Sequence, residues 1–156
     1  MTDSTHHDAA LNDASQSDAA QHARVQASFD AQGLMHTLGA QLLQVREGEV
    51  QITLPFAATL SQQHGFLHAG ATTSIVDSAC GYAALTKTPP GSEIVTAEFK
   101  LNLLRPALGE RFVATGKVVN AGRNLIVCTG EVHAFIGEQH KLIALMQATM
   151  SVVHPG

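Results

Sequence analysis

One carboxylate, Asp77, stands in the middle of a run of small and apolar residues, HAGATTSIVDSACGYAALT, that extends from His68 to Thr86. An ionised acid is a poor mid-helix residue and is costly in apolar surroundings unless it is paired. At helical spacing its neighbours are Thr73, Ser74, Cys80 and Gly81, and no Lys or Arg lies three or four places away. Such an acid suits a general base or nucleophile whose partners come from elsewhere in the fold. Two structural readings stand beside it: an acid at a solvent-facing helix edge, or one bonded locally to Thr73 and Ser74.

Just upstream lies QQHGFLHAG, from Gln62 to Gly70. The first amides of a helix have no partner inside it and point outward. Small residues at Ala69 and Gly70 let a ligand oxygen approach those amides, and a helix N-terminus favours developing negative charge. An acyl-transfer oxyanion needs that environment. His68 precedes Asp77 by nine positions, about 13 Å of helical rise and nearly opposite faces. Groups so placed serve one reaction only if they come from two copies of the chain, so the spacing predicts a dimer with shared sites. His64 and His68 sit four apart, but Gly65 and the lack of a third ligand argue against a metal. Ser74 with His68 and Asp77 lacks a G-x-S-x-G elbow, which argues against a serine triad.

The flanking patterns indicate what must position these groups. AQLLQVREGEVQITLPF alternates on both sides of Glu47-Gly48 and reads as a hairpin. A loop over about 57–67 and a helix over about 69–86 follow, ended by the prolines of KTPPGSE. Four further strand patterns, EIVTAEFKLNLLRPA, ERFVATGKVVNAG, NLIVCTGEVHAFI and KLIALMQATMSVV, are separated by turns and predict an antiparallel sheet in up-and-down succession. The fold class is therefore α+β, with one long central helix and about six strands. Because that helix is small or apolar on nearly every side, it should lie buried within its own sheet. Residues 1–20 are polar and acidic and read as a flexible tail that includes His6 and His7, with one domain over 21–156 and a short helix at 21–32.

Composition narrows the function classes. The 156 residues are 45% hydrophobic but only 14% charged, so part of the surface should be covered by another subunit. Nine Lys and Arg face thirteen Asp and Glu and form no basic run, which gives nucleic-acid binding no support. No stretch is apolar enough to span a membrane. Cys80 and Cys128 read as reduced, buried thiols. With no basic start followed by an apolar run, cytoplasm is the expected compartment.

The pattern Q-x-x-G-x-x-H-A-G-x-x-x-x-x-x-D, formed by Gln62, Gly65, His68, Ala69, Gly70 and Asp77, resembles the signature of hotdog-fold acyl-CoA thioesterases of the PaaI-like, phenylacetate-degradation type. The later VTAEFKLNLLRPA resembles the strand in which that family places a polar residue ten positions before a proline, here Thr96 and Pro106. The likeness covers roughly residues 35–153. It departs in one place, with His68-Ala69-Gly70 where His-Gly-Gly is usual. The resemblance implies hydrolysis of acyl-CoA, with Asp77 as nucleophile or general base and the Ala69 amide polarising the carbonyl. His68 would orient the loop, Gln62 would place the carbonyl or water, and Thr96, from the second copy, would hold the water. Gly65 shapes the substrate turn, and Arg105, Arg123 and Lys100 are candidates for the CoA phosphates. No cofactor or metal is implied, and a dimer of dimers is common in the family. Phe66, Leu67, Ile75 and Tyr82 are candidate pocket residues. Two other functions fit a hotdog chain: a hydroxyacyl-thioester dehydratase using His68 or His64, and a non-catalytic acyl-CoA-binding protein.

Overall fold

The structure is a computed structural model that describes residues 4–154, with side chains from residue 18 onward. His6 and His7 lie outside the described side chains. A helix α1 spans Ser4–Asp30 and a short helix α2 spans Gly33–Leu38. The hairpin strands β1, Gln41–Arg46, and β2, Glu49–Pro55, precede the long helix α3, Ala69–Leu85. Strands β3, Glu93–Leu103, β4, Arg111–Ala121, β5, Leu125–Ile136, and β6, Gln139–Val153, complete the chain.

The six strands form one sheet in the order β1-β2-β4-β5-β6-β3, and every pairing is antiparallel. Alternation gives each inner strand a buried face: Val50, Ile52 and Leu54 in β2, and Ile126, Cys128, Val132 and Ala134 in β5. α3 lies on that face and touches β2 through β6, so the sheet wraps the helix in the hotdog arrangement. Close approach is built from glycine. A β-carbon on Gly116 would lie 2.3 Å from the Ala79 carbonyl carbon, and one on Gly130 would lie 2.5 Å from Val76 Cγ2. Ile75, Val76, Ala79, Cys80, Ala83 and Ala84 fill the helix–sheet layer at zero exposure.

Two expectations need correction. The strands after α3 do not run in simple up-and-down succession, because β3 pairs with β6 at the sheet edge and β2 pairs with β4. The connection over residues 104–110 carries the chain from one side of the sheet to the other. Strand order depends on which apolar faces cover α3, and turn spacing alone does not encode that. At the other end, the short helix expected over 21–32 is the last part of a longer helix that runs from Ser4 to Asp30. Ala9, Ala10, Ala14, Ala19, Ala20, Ala23 and Ala27 favour helix even without burial. Packing against the domain begins near Gln21, whose amide donates to the Thr86 carbonyl at 2.6 Å. Arg24 donates to the carbonyls of Thr88 and Ser92, and Val25 and Phe29 enter the core one turn apart.

Candidate active site

The turn before α3 is held almost entirely by backbone. Gln62 N–H donates to the Phe66 carbonyl at 2.8 Å, and Gly65 N–H returns to the Gln62 carbonyl at 2.9 Å. That closure needs a left-handed residue, and Gly65 supplies φ +81°. The Gln62 side-chain oxygen accepts from His64 N–H, so the amide is drawn back over its own turn. Leu67 N–H bonds the Ala107 carbonyl and His68 N–H the Leu60 carbonyl, which ties the turn to the crossover loop.

His68 is the N-cap of α3. Its backbone is extended, at φ −65° and ψ 141°, and its Nδ1 accepts from Gly70 N–H at 2.8 Å. Ala71 and Thr72 donate to the His68 carbonyl. The Ala69 N–H makes no hydrogen bond among the described residues, and Ala69 lines a cleft of about 160 Å³ with Gln62, Phe66 and Arg105. One free donor at a helix N-terminus, with Gln62 beside it, can receive a carbonyl oxygen that gains charge.

Asp77 lies eight residues further along α3, about 12 Å of rise. Thr73 and Ser74 do not bond it locally, since their hydroxyls donate back to the Ala69 and Gly70 carbonyls. Its partner is Thr96, whose Oγ1 donates to Asp77 Oδ1 at 2.9 Å. β3 carries a bulge immediately after Thr96, between it and Glu98, where such irregularities re-aim side chains. Asp77 is half-buried, and burial pushes its carboxyl above the ordinary 3.8, partly offset by the Thr96 hydrogen bond. It opens onto a separate cleft of about 260 Å³ whose wall also includes Ser28 and Gln32 from the N-terminal helices. One chain therefore presents a free amide at the start of α3 and a half-buried carboxylate at its middle, in separate clefts.

A family model described as the thioesterase superfamily matches residues 64–139. A solved thioesterase family protein from Silicibacter pomeroyi superposes with a TM-score of 0.85 at 41% identity, covering 86% of this chain and 99% of that one. The chain belongs to the thioesterase superfamily. A Saccharolobus solfataricus protein provisionally named an esterase is 31% identical over 90 residues, 58% of this chain, and the match spans 64% of that relative's length. The Escherichia coli acyl-coenzyme A thioesterase PaaI is 25% identical over 122 residues, covering 78% of this chain and 83% of that protein. The superfamily match takes in His68, Asp77 and Thr96 and begins just after Gln62.

Within this thioesterase-superfamily chain the sequence candidates are distributed unevenly. Gln62, Gly65, His68, Ala69 and Gly70 share the turn and helix start, and Phe66 and Leu67 line the cleft there. Tyr82 lines the Asp77 cleft, whereas Ile75 is core with no exposure. Thr96 reaches Asp77 within the same chain, which corrects the expectation that it comes from a second copy. Arg105 borders the amide cleft, and one of its nitrogens donates to the Leu142 carbonyl at 2.8 Å. Arg123 sits on the exposed β4–β5 turn and lines neither cleft, and Lys100 is exposed on β3. Sequence reasoning missed Ser28, Gln32 and Glu93, which line the Asp77 cleft. No local motif marks them: Ser28 and Gln32 arrive with the end of α1 and the link to α2, and Glu93 with the start of β3.

Proposed function

We propose that this chain hydrolyses acyl-CoA thioesters at a site completed by a second copy of itself. The observation that carries the reading is Asp77, half-buried, held above its ordinary range and hydrogen-bonded to Thr96 while still open to a cleft. Asp77 acts as general base. It takes a proton from water as the water oxygen attacks the thioester carbon, and the carbonyl oxygen becomes an oxyanion received by Ala69 N–H. Collapse breaks the carbon–sulfur bond, and the departing thiolate takes the proton back from Asp77. Thr96 positions the carboxylate, His68 caps the helix that presents the amide, and Gln62 places the carbonyl.

The two half-sites, about 12 Å apart along α3, are too distant for one thioester carbon and its oxygen. A second copy supplies the missing half to each. The open edge of β3 supports this assembly. β3 pairs only with β6, and Val95, Phe99 and Leu103 stand 54%, 43% and 56% exposed along it. A long apolar edge strand is a template for pairing with another chain. The low charge content and the buried free thiols Cys80 and Cys128 fit an assembled protein in a reducing compartment, the cytoplasm. No helix among the described residues is long and apolar enough to cross a membrane.

The test is thiol release from a panel of short, medium, long and aromatic acyl-CoA esters by the wild-type chain, Asp77→Ala and Asp77→Asn. The wild type should turn over at least one ester, and both variants should lose about 10³-fold or more in kcat. Wild-type turnover by either variant on every accepted ester overturns the role of Asp77. Single turnover in ¹⁸O-water should label the product acid, and label in the Asp77 carboxylate would make it the nucleophile instead.

A further inference from the structure

The two clefts differ in charge. Arg105 borders the cleft at the start of α3, whereas no Lys or Arg lines the Asp77 cleft. The Asp77 cleft is lined in part by Leu34, Leu85 and Ile94, and beside them by a belt of uncharged polar groups and one further acid. Gln32 Nε2 donates to the Tyr82 hydroxyl at 2.6 Å, and Gln32 Oε1 accepts from Ser78 Oγ at 3.4 Å. Ser28, near the end of α1, lies on the same wall, four residues before Gln32. Glu93, the first residue of β3, also lines the cleft and forms no ion pair among the described residues. The Tyr82 phenol stays protonated, held up by burial first and by the nearby carboxylates of Glu93 and Asp30 second, against hydrogen bonds to Ser28 and Gln32.

These groups retain unused hydrogen-bonding capacity. Gln32 has a second N–H and a weakly used oxygen, and Glu93 offers two acceptor oxygens. Tyr82, the far member of the belt on α3, lies five residues beyond Asp77, about 7.5 Å of rise, which an acyl chain of roughly six or seven heavy atoms spans, while Ser78 adjoins Asp77. An alkyl end placed there would strip water from polar groups without replacing it. A terminal hydroxyl would replace that water. A terminal carboxylate would face Glu93 with no cation among the lining residues to balance it.

We propose that the Asp77 cleft is the acyl pocket, and that Gln32, Ser78, Tyr82 and Glu93 select acyl groups ending in a neutral hydrogen-bond donor over alkyl ends and against carboxylate ends. This rests on the thioesterase reading above and adds a substrate class to it.

Three CoA esters of one length test it: heptanoyl-, 6-hydroxyhexanoyl- and adipoyl-CoA, which differ only in a terminal methyl, hydroxyl or carboxylate. The wild type should favour the hydroxyl over the methyl by about tenfold in kcat/KM, roughly one well-placed hydrogen bond, and the carboxylate should be the poorest. Gln32→Leu and Tyr82→Phe should bring the hydroxyl-to-methyl ratio toward one, and Glu93→Gln should raise adipoyl-CoA relative to heptanoyl-CoA. Each readout is a ratio within one protein, so partial loss of folded enzyme cancels. Equal or faster turnover of heptanoyl-CoA, or ratios unmoved by all three variants, overturns the pocket assignment. If that occurs while Asp77→Ala abolishes turnover, the thioesterase reading stands alone. If no ester releases thiol, both fall.

Discussion

Replacing Ala69 with proline removes one hydrogen atom of interest and leaves its helix in place. Ala69 is the first residue of α3, the position where proline is best tolerated because the missing N–H has no helical partner. The residue before a proline must avoid the helical region, and His68 already does, at φ −65° and ψ 141°. The cap bond from Gly70 N–H to His68 Nδ1 is untouched. The ring δ-carbon would take the place of that hydrogen at a residue that lines the cleft. Folding stability should therefore change by less than about 1 kcal/mol, measured by urea denaturation. Catalysis should not survive so well. Removing one oxyanion donor costs about 10²–10³ in kcat, or roughly 3–4 kcal/mol of transition-state stabilisation. The loss should fall on kcat more than on KM, since the donor acts on charge that exists only in the transition state. Ala69→Gly keeps the N–H and should stay within about threefold of wild type by the same thiol-release assay. Ala69→Pro that is folded and within about threefold of wild type would refute the placement of the oxyanion at this amide.

Three further outcomes follow from the same geometry. The folded Asp77 carboxyl sits above its ordinary 3.8, so the folded chain binds a proton that the unfolded chain has already released, and stability falls as pH rises from about 3.8 through the folded value. Asp77→Asn should thus be more stable than wild type at neutral pH while inactive, with the stability gap closing in acid, as thermal denaturation at several pH values would show. Thr96→Val removes the hydrogen bond that lowers the Asp77 carboxyl, so the acid limb of the kcat/KM profile should move to higher pH. Gly116→Ala sets a β-carbon 2.3 Å from helix backbone and should destabilise by about 3 kcal/mol or more, whereas Gly130→Ala meets the Val76 and Cys80 side chains rather than backbone and should cost less by denaturant titration.

The elements legible in the sequence were those whose signal is local. The Glu47-Gly48 hairpin, α3 and its end near Thr86 follow from alternation, small-residue content and prolines within a few positions. The turn from Gln62 to Gly70 was legible for the same reason, since most of its hydrogen bonds are local and only Leu67 N–H reaches far along the chain, to the Ala107 carbonyl. The order of strands was not, because β3 pairs with β6, which follows it in the chain only after β4 and β5. Thr96 was legible as a polar residue of interest, but the bulge that turns it onto Asp77 of its own chain depends on its pairing with Met150. Gln32 and Glu93 were invisible for a simpler reason: a glutamine before a glycine and a glutamate at a strand start are ordinary surface choices until the link between α1 and α2 and the start of β3 meet beside α3.

Whether the two half-sites belong to one reaction can be decided by mixing two dead proteins. Ala69→Pro lacks the amide and Asp77→Asn lacks the base, and each homodimer carries the same defect in both sites. In a mixed dimer with two-fold symmetry, one site draws its amide from the Asp77→Asn chain and its carboxylate from the Ala69→Pro chain, and is intact. The other site carries both defects. Random pairing of equal amounts makes about half the dimers mixed, each with one working site of two, so about a quarter of wild-type activity should return. Recovery requires subunit exchange, so the two variants should be unfolded and refolded together, with separately refolded samples combined afterwards as the control. A site contained in one chain gives the opposite result, because no mixture then unites the two intact groups and activity stays at the sum of the residuals. The spacing along α3 is what makes the experiment decisive, since eight residues of helix hold the amide and the acid too far apart for any flexing of one chain to bring them onto the same carbonyl.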